Sequence, residues 1–438
     1  MVIKLFDRHS VLVCACILAA AVAVITAVNF SRSGASGSVP AQGRNSFSVS
    51  ASAAGLTPAS ASGSGASAPA VSAAKASSSE MRAVWVPYMS LDMSREKDKS
   101  EKAFQAKFSN MIAVAKKYGM NTLVVQVRPF GDALYPSAYF PWSSIVGGTQ
   151  GVNPGYDPLK DMVSAAHRAE MKIQAWVNPL RIQVNGTPSI LAQGNLYNKW
   201  KSDSAKKGYV VDTAQGKYYN PAYGEVRRLI ADGVREIAKN YEVDGIQFDD
   251  YFYPTQDASF DKAAYDSYCG AVSKNGKPLG LQEWRQANIN ALVALVYSGV
   301  KSVKKNLPFG IAPQGNVEND LKMGADVAAW CNTRGYVDFI CPQLYVNFDN
   351  PVLPFGTAAQ AWRKLVTNSD IKLYFGLAVY KAGSDADSGT WKKSGSILAQ
   401  QVEAGRKNSC DGFMFYSWDS FNSSQAKEEI QNVMKVLK

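Results

Sequence analysis

Residues Val243 to Pro254 read VDGIQFDDYFYP, and the rest of the chain is organised around them. The first half alternates and carries apolar, β-favouring Val243, Ile246 and Phe248, which predicts a buried strand. Two adjacent carboxylates, Asp249 and Asp250, come next, then Tyr251-Phe252-Tyr253 and a proline. Desolvating a carboxylate is costly, so a buried strand that ends in two of them has a reason to do so. Carboxylates at the C-terminal end of a strand, beside tyrosines able to stack on a ring, suggest carbohydrate chemistry.

Outward from this stretch, short apolar strands alternate with helical patterns. Upstream, strands are expected at Arg82–Tyr88, Asn121–Arg128 and Lys172–Asn178. Downstream they are expected at Pro308–Pro313, Val337–Pro342, Ile371–Val379 and Cys410–Tyr416. Helices fill the gaps. Glu101–Tyr118 repeats Phe104, Phe108, Met111, Ile112 and Ala115 at helical spacing, and Asp157-Pro158 makes a cap and first turn for Asp157–Met171. Further helices are expected at Tyr223–Tyr241, Gln282–Lys305, Asp320–Thr333, Phe355–Asn368, Lys393–Asn408 and Ser423–Leu437. Eight strand–helix units over roughly 360 residues predict an α/β fold, a (β/α)8 TIM barrel with long loops at its C-terminal face. Function must then come from the strand ends at that face.

Those ends collect a consistent set. Strand two ends in Arg128, with Asp132 and Tyr135 just after. Strand three ends in Asn178, with Arg181 following. Strand four ends in Asp249, Asp250 and Tyr251, with Tyr253 beyond. Strand five ends in Gln314, strand six in Gln343 and Tyr345, strand seven in Tyr380, and strand eight in Ser417-Trp418-Asp419. Amides and charges bind hydroxyls, and aromatic faces stack on pyranose rings. Asp249 and Asp250 are the catalytic candidates. Arg128, Asp132, Tyr135, Asn178, Arg181, Tyr251, Tyr253, Gln343, Tyr345 and Trp418 are the candidate substrate binders. The loop Gly131–Tyr156 is long, aromatic and glycine-rich, with Tyr139 and Trp142 as further stacking candidates. Asp244 begins its strand, at the stability face, and reads as structural.

The chain has 438 residues, a formal charge of +11, six cysteines and two histidines. Histidine scarcity removes a histidine-rich metal site, a Ser-His-Asp triad and a histidine base. No metal site, no nucleotide cofactor motif and no nucleic-acid motif is present, so no cofactor is expected. No C-x-x-C occurs, and Cys341 and Cys410 fall in expected core strands, so the domain's cysteines read as buried free thiols. Val11–Val28 is an uncharged apolar run behind Lys4 and Arg8. It predicts a signal peptide or membrane anchor in residues 1–30, with the rest exported. Residues 31–80, rich in Ser, Ala and Gly, read as a disordered linker, and residues 81–438 as the barrel. An exported basic domain suits an anionic wall or headgroups as a partner.

RAVWVPY, QVRPFGDALYPS, PWS, GVNPGYDPL, AWVNPLR, DGIQFDDYFYP, PQLYV and FYSW together resemble the glycosyl-hydrolase-like 10 family, once called domain of unknown function 187. The resemblance runs from Arg82 to the C-terminus. It implies a (β/α)8 barrel and, as in a family member acting in the bacterial envelope, cleavage of peptidoglycan glycan strands stripped of their peptides. Some members are lipoproteins; this chain lacks their lipobox. DGIQFDDYFYP is also similar to the catalytic strand of family 18 chitinases, with Asp244, Gly245 and Asp249 matching. The acid of that motif falls on Tyr251, so it does not carry over. The adjacent Asp249-Asp250 pair looks instead like the dyad of family 84 hexosaminidases, in which one aspartate orients the substrate acetamide and the next is the acid.

The expected reaction is therefore hydrolysis of a glycan with 2-acetamido sugars, Asp250 acting as acid and Asp249 steering the acetamide or stabilising the transition state. Both can reach one substrate only if the backbone turns after Asp249. Two alternatives stand beside it: a glycan-binding wall protein without catalysis, and an amylase-like α-glucan hydrolase with Glu318 as acid. Asp132, Asp349, Asp419 and Glu318 are the spare carboxylates.

Overall fold

The computed structural model describes residues 80–274 and 276–438. The anchor expected in residues 1–30 and all but the last residue of the linker lie outside the described residues. Glu80, assigned to the linker above, is buried in an ion pair with Arg406 at 2.7 Å.

The strands are β1 (Met81–Val86), β2 (Thr122–Arg128), β3 (Lys172–Val177), β4 (Arg181–Val184), β5 (Val210–Thr213), β6 (Gly216–Tyr219), β7 (Gly245–Phe248), β8 (Phe309–Ile311), β9 (Phe339–Ile340), β10 (Lys372–Ala378) and β11 (Gly412–Tyr416). Eight of them close a barrel in the order β1-β11-β10-β9-β8-β7-β3-β2. Every barrel pairing is parallel, because a helix returns the chain after each strand. The eight expected strands are all found, in sequence order. The fifth and sixth are shorter than expected, since Pro308, Pro313 and Pro342 flank them and cannot donate to a ladder.

Two apolar layers follow from the alternation of strand side chains. Ala83, Trp85, Val124, Trp176, Ala312, Phe339, Cys341 and Met414 fill the barrel's interior. The outward set, such as Val125, Val177, Ile246 and Phe248, packs against the helices. Helix Gly224–Asn240 illustrates the match: it buries Val226, Ile230, Val234 and Ile237 along one stripe. Asp157 caps helix Pro158–Arg168 with its side chain, and Pro158 opens it, as expected.

Two elements depart from the expected alternation. β4, β6 and β5 form a separate antiparallel sheet, inserted between β3 and helix Gly224–Asn240. Helix Lys262–Val272 buries no residue and so carries no apolar stripe for sequence reading to find. Among the described residues no helix is long and apolar enough to cross a membrane.

Candidate active site

β7 delivers the central pair. Gln247 points into the barrel, where its amide oxygen accepts from Trp85 Nε1 at 2.9 Å. Alternation puts Asp249, two residues on, on the same inner side. The ladder stops at Phe248 and the chain turns: the Phe252 amide donates to the Asp250 carbonyl at 3.1 Å. That turn lets both carboxylates line one axial cavity of about 240 Å3, as the sequence required. Its walls include Trp85, Trp176, Gln247 and Tyr416 from inside the barrel, and Tyr251, Gln343, Tyr345 and Tyr380 from the rim.

Asp249 is held on three sides. Its Oδ2 accepts from Trp176 Nε1 at 2.9 Å and from Asn178 Nδ2 at 3.0 Å. Its Oδ1 faces the Tyr251 amide at 3.4 Å. Asn178 works at both ends, because its Oδ1 also accepts from the Arg181 amide at 3.1 Å and so ties β4 to the site. Arg181 then lies over the Tyr251 ring, 3.3 Å from its centroid. Asp250 Oδ1 accepts from Gln343 Nε2 at 2.9 Å, and Gln343 in turn donates to the Ala312 carbonyl. The Gln314 side-chain amide donates to Met323 Sδ at 3.0 Å.

Both carboxyls resist ionisation. Burial pushes Asp249 up to about 7; the charge of Asp250 adds to this, while Arg181, Trp176 and Asn178 oppose it. Burial also raises Asp250, against Gln343, Arg181 and Gln314. Two buried neighbouring acids behave as a unit, and this pair keeps a proton near neutral pH. Asp320, unflagged in the sequence, lies fully buried and accepts from the Gln314 amide at 2.9 Å. Burial raises it well above the usual carboxylate range, and Asp250 adds to that.

The structure brings Asp249, Asp250, Asn178, Arg181, Tyr251, Gln343 and Tyr345 together, and it places five expected binders elsewhere. Arg128 should face inward by alternation, but the β2–β3 register shifts between Gln126 and Arg128. The slip sends its side chain outward. There it is fully buried, 4.3 Å from the Phe140 ring, with Gly233 of helix Gly224–Asn240 leaving the space it occupies. Asp132 is fully buried and accepts from Gln150 at 3.0 Å. Tyr135 is buried against Tyr241. Tyr253 is buried between Phe260 and Arg285, its amide bound to the Met323 carbonyl. Trp418 gives its indole N–H to the Met111 carbonyl at 3.2 Å, on the outside of the barrel.

The loop Gly131–Tyr156 behaves as packing. Ser137 and the Ala138 amide bind Glu236, and Tyr139 and Trp142 lean on the main core. Glu318 is exposed and lines neither cavity around Asp250, which removes the acid that the amylase-like reading requires. Asp349 pairs with Lys393, and Asp419 accepts from Ser90. Asp244 is structural, binding His167 and the Ile173 amide below the site. The residues missed from sequence are Trp85, Trp176, Gln247 and Tyr416. Trp176, Gln247 and Tyr416 each stand two positions before a candidate named from sequence, so alternation points to them.

A closed eight-stranded barrel with a ring-sized axial cavity and paired buried carboxylates defines a protein with a glycosidase fold. The comparisons agree on the class and make it specific. The chain belongs to the family described as Glycosyl hydrolase-like 10, which matches residues 80–392. It is 31% identical over 371 residues to glycosyl hydrolase YngK of Bacillus subtilis, covering 80% of this chain and 70% of that protein. It is 30% identical over 389 residues to glycosyl hydrolase DigH of Escherichia coli, covering 81% and 86%. Among solved structures, the PgaB (BpsB) glycoside hydrolase domain of Bordetella bronchiseptica superposes with a TM-score of 0.53 at 13% identity, covering 82% of this chain and 99% of that one. At that identity the likeness concerns the fold alone.

Proposed function

We propose that this protein hydrolyses a bacterial cell-wall glycan built of 2-acetamido sugars, with Asp249 and Asp250 as its catalytic pair. The observation that carries the reading is that both carboxylates of the DGIQFDDYFYP stretch reach one axial cavity and resist ionisation there. A glycosidase needs an acid that still holds its proton near neutral pH.

The chemistry assigns itself as follows. Asp250 donates its proton to the leaving oxygen as the C1–O bond breaks. The substrate's own acetamide oxygen bonds to C1, and Asp249 orients that acetamide from a position set by Trp176 and Asn178. Water then attacks C1, giving its proton to Asp250, and the acetamide is restored. Such substrate-assisted hydrolysis is a known variant of the two-carboxylate scheme. Peptidoglycan stripped of its peptides is the substrate that the family resemblance favours. The Val11–Val28 run and the charge of +11 fit an exported protein beside an anionic wall.

The test is incubation of the protein with stripped peptidoglycan glycan, crosslinked sacculi and amylose, each with and without EDTA, followed by mass analysis of products. Faster release from stripped glycan than from sacculi, unaffected by EDTA, is expected. Faster release from amylose would overturn the substrate, and binding without release would leave a glycan-binding protein. Export is tested by adding protease to intact cells: cleavage of the domain is expected, and protection by an intact membrane would refute it.

A further inference from the structure

A second cavity, about 370 Å3, opens directly beside the axial one, and Asp250, Gln343 and Tyr345 belong to both. Asp249 lines only the axial cavity. The second is walled by the segments after β8 and β9: Gln314, Gly315, Asn316, Asn319, Asn350 and Val352. Its polar equipment is almost wholly amide. Asn316 and Asn350 commit their carbonyl oxygens to the Glu318, Val352 and Leu353 amides, which leaves their NH2 groups for a ligand. Asn319 is exposed on the short helix Val317–Lys322, and its side chain makes no hydrogen bond within the described residues. Apart from Asp250, no charged side chain among the described residues lines this space.

We propose that this amide-walled cavity binds the leaving-group side of the glycan, and that it takes a neutral sugar ring. The inference rests on the glycosidase reading and gives the site a direction. The ring whose C1 reacts must touch both Asp249 and Asp250, so it occupies the axial cavity. A general acid must reach the scissile oxygen, and that oxygen lies between two rings. Among the described residues Asp250 is the one carboxylate at the junction of the two cavities, so the ring beyond it is the departing one. Amide donors suit hydroxyl and acetamide oxygens. A ring bearing a carboxylate would meet no cation here, only Asp250.

The experiment compares a neutral acetamido oligosaccharide with an aryl glycoside of one acetamido sugar, using the full-length chain and the variants Asn319→Ala and Asn319→Trp. The aryl glycoside places no sugar beyond Asp250, so the ratio of the two kcat/KM values isolates the second cavity. Losing one hydrogen bond is expected to lower that ratio roughly threefold to tenfold in Asn319→Ala. Filling the space should lower it further in Asn319→Trp, and a carboxymethylated oligosaccharide should be cleaved more slowly than the neutral one. An unchanged ratio in both variants overturns the subsite, and equal cleavage of the charged chain overturns its neutrality. Should the native protein cleave neither substrate, the glycosidase reading fails on its own. Calorimetric titration with the same oligosaccharide then decides the cavity: weaker binding in Asn319→Trp upholds it, and equal binding overturns it.

Discussion

The ends of β2 and β7 look alike in sequence and differ in the fold. Each carries an aspartate near an arginine: Asp132 with Arg128, and Asp249 with Arg181. In each, burial raises the carboxyl, to about 6 at Asp132 and about 7 at Asp249. Yet the Asp249 cluster faces the axial cavity, and Asp132 is buried within the packed loop Gly131–Tyr156, bound to Gln150 of the same loop. The cause is one irregularity, the register shift that turns Arg128 away from the barrel's interior. A perturbed carboxyl at a strand end marks a functional site only when something can reach it. The same perturbation in a closed place is a cost of building the fold.

The contrast breaks if the two clusters respond alike to mutation. The largest effect is expected at β7. Asp249→Asn and Asp250→Asn should each lower turnover of stripped glycan about 10²–10⁴-fold, the range for a lost acid–base group, while the proteins remain folded. The next is at β2. Arg128→Ala opens a cavity against Phe140 and Gly233 and strips the Asn178 and Pro179 carbonyls of their donor. It should cost ~3 kcal/mol or more of stability, read by denaturant melts. Normal stability with lost glycan binding would make Arg128 part of the site after all.

The smallest effect expected is a pH dependence of stability at Asp132. Asp132 moves from 3.8 to about 6 on folding, so its protonated form favours the native state. That contribution is present below about pH 4 and is lost as pH rises through about 6. The shift corresponds to at most ~3 kcal/mol. Asp132→Asn carries no such charge. Its stability relative to the native protein should therefore increase between about pH 4 and pH 7, by melts at both ends. A constant difference would show that folding leaves the Asp132 carboxyl unshifted.

The strand ends were legible because apolar runs stop at polar residues, which is why Asn178, Asp249, Asp250 and Gln343 could be named from sequence. The barrel was legible for the same reason, repeated along the chain. Arg128 was misjudged because a bulge leaves no mark in residue type. Tyr253 was misjudged because the turn that brings Asp250 into the cavity carries the chain on and buries it beneath Gly324. The sheet of β4, β5 and β6 escaped notice because its short strands, RIQV, VVDT and GKYY, are mostly half-buried and carry no continuous apolar run. Trp85, Trp176 and Gln247 escaped because they sit inside strands, where an apolar or amide side chain reads as core.

On the proposed mechanism Asp250, at the junction of two cavities, protonates the leaving oxygen. The direct measurement compares Asp250→Asn and Asp249→Asn on stripped glycan and on an aryl glycoside whose phenol is acidic enough to leave without a proton. Asp250→Asn should be crippled on the glycan and recover most of its kcat/KM, which reports breaking of the C1–O bond, on the activated aryl glycoside, while Asp249→Asn stays slow on both. Equal impairment of Asp250→Asn on the two substrates, or near-full turnover of the glycan, would contradict the assignment.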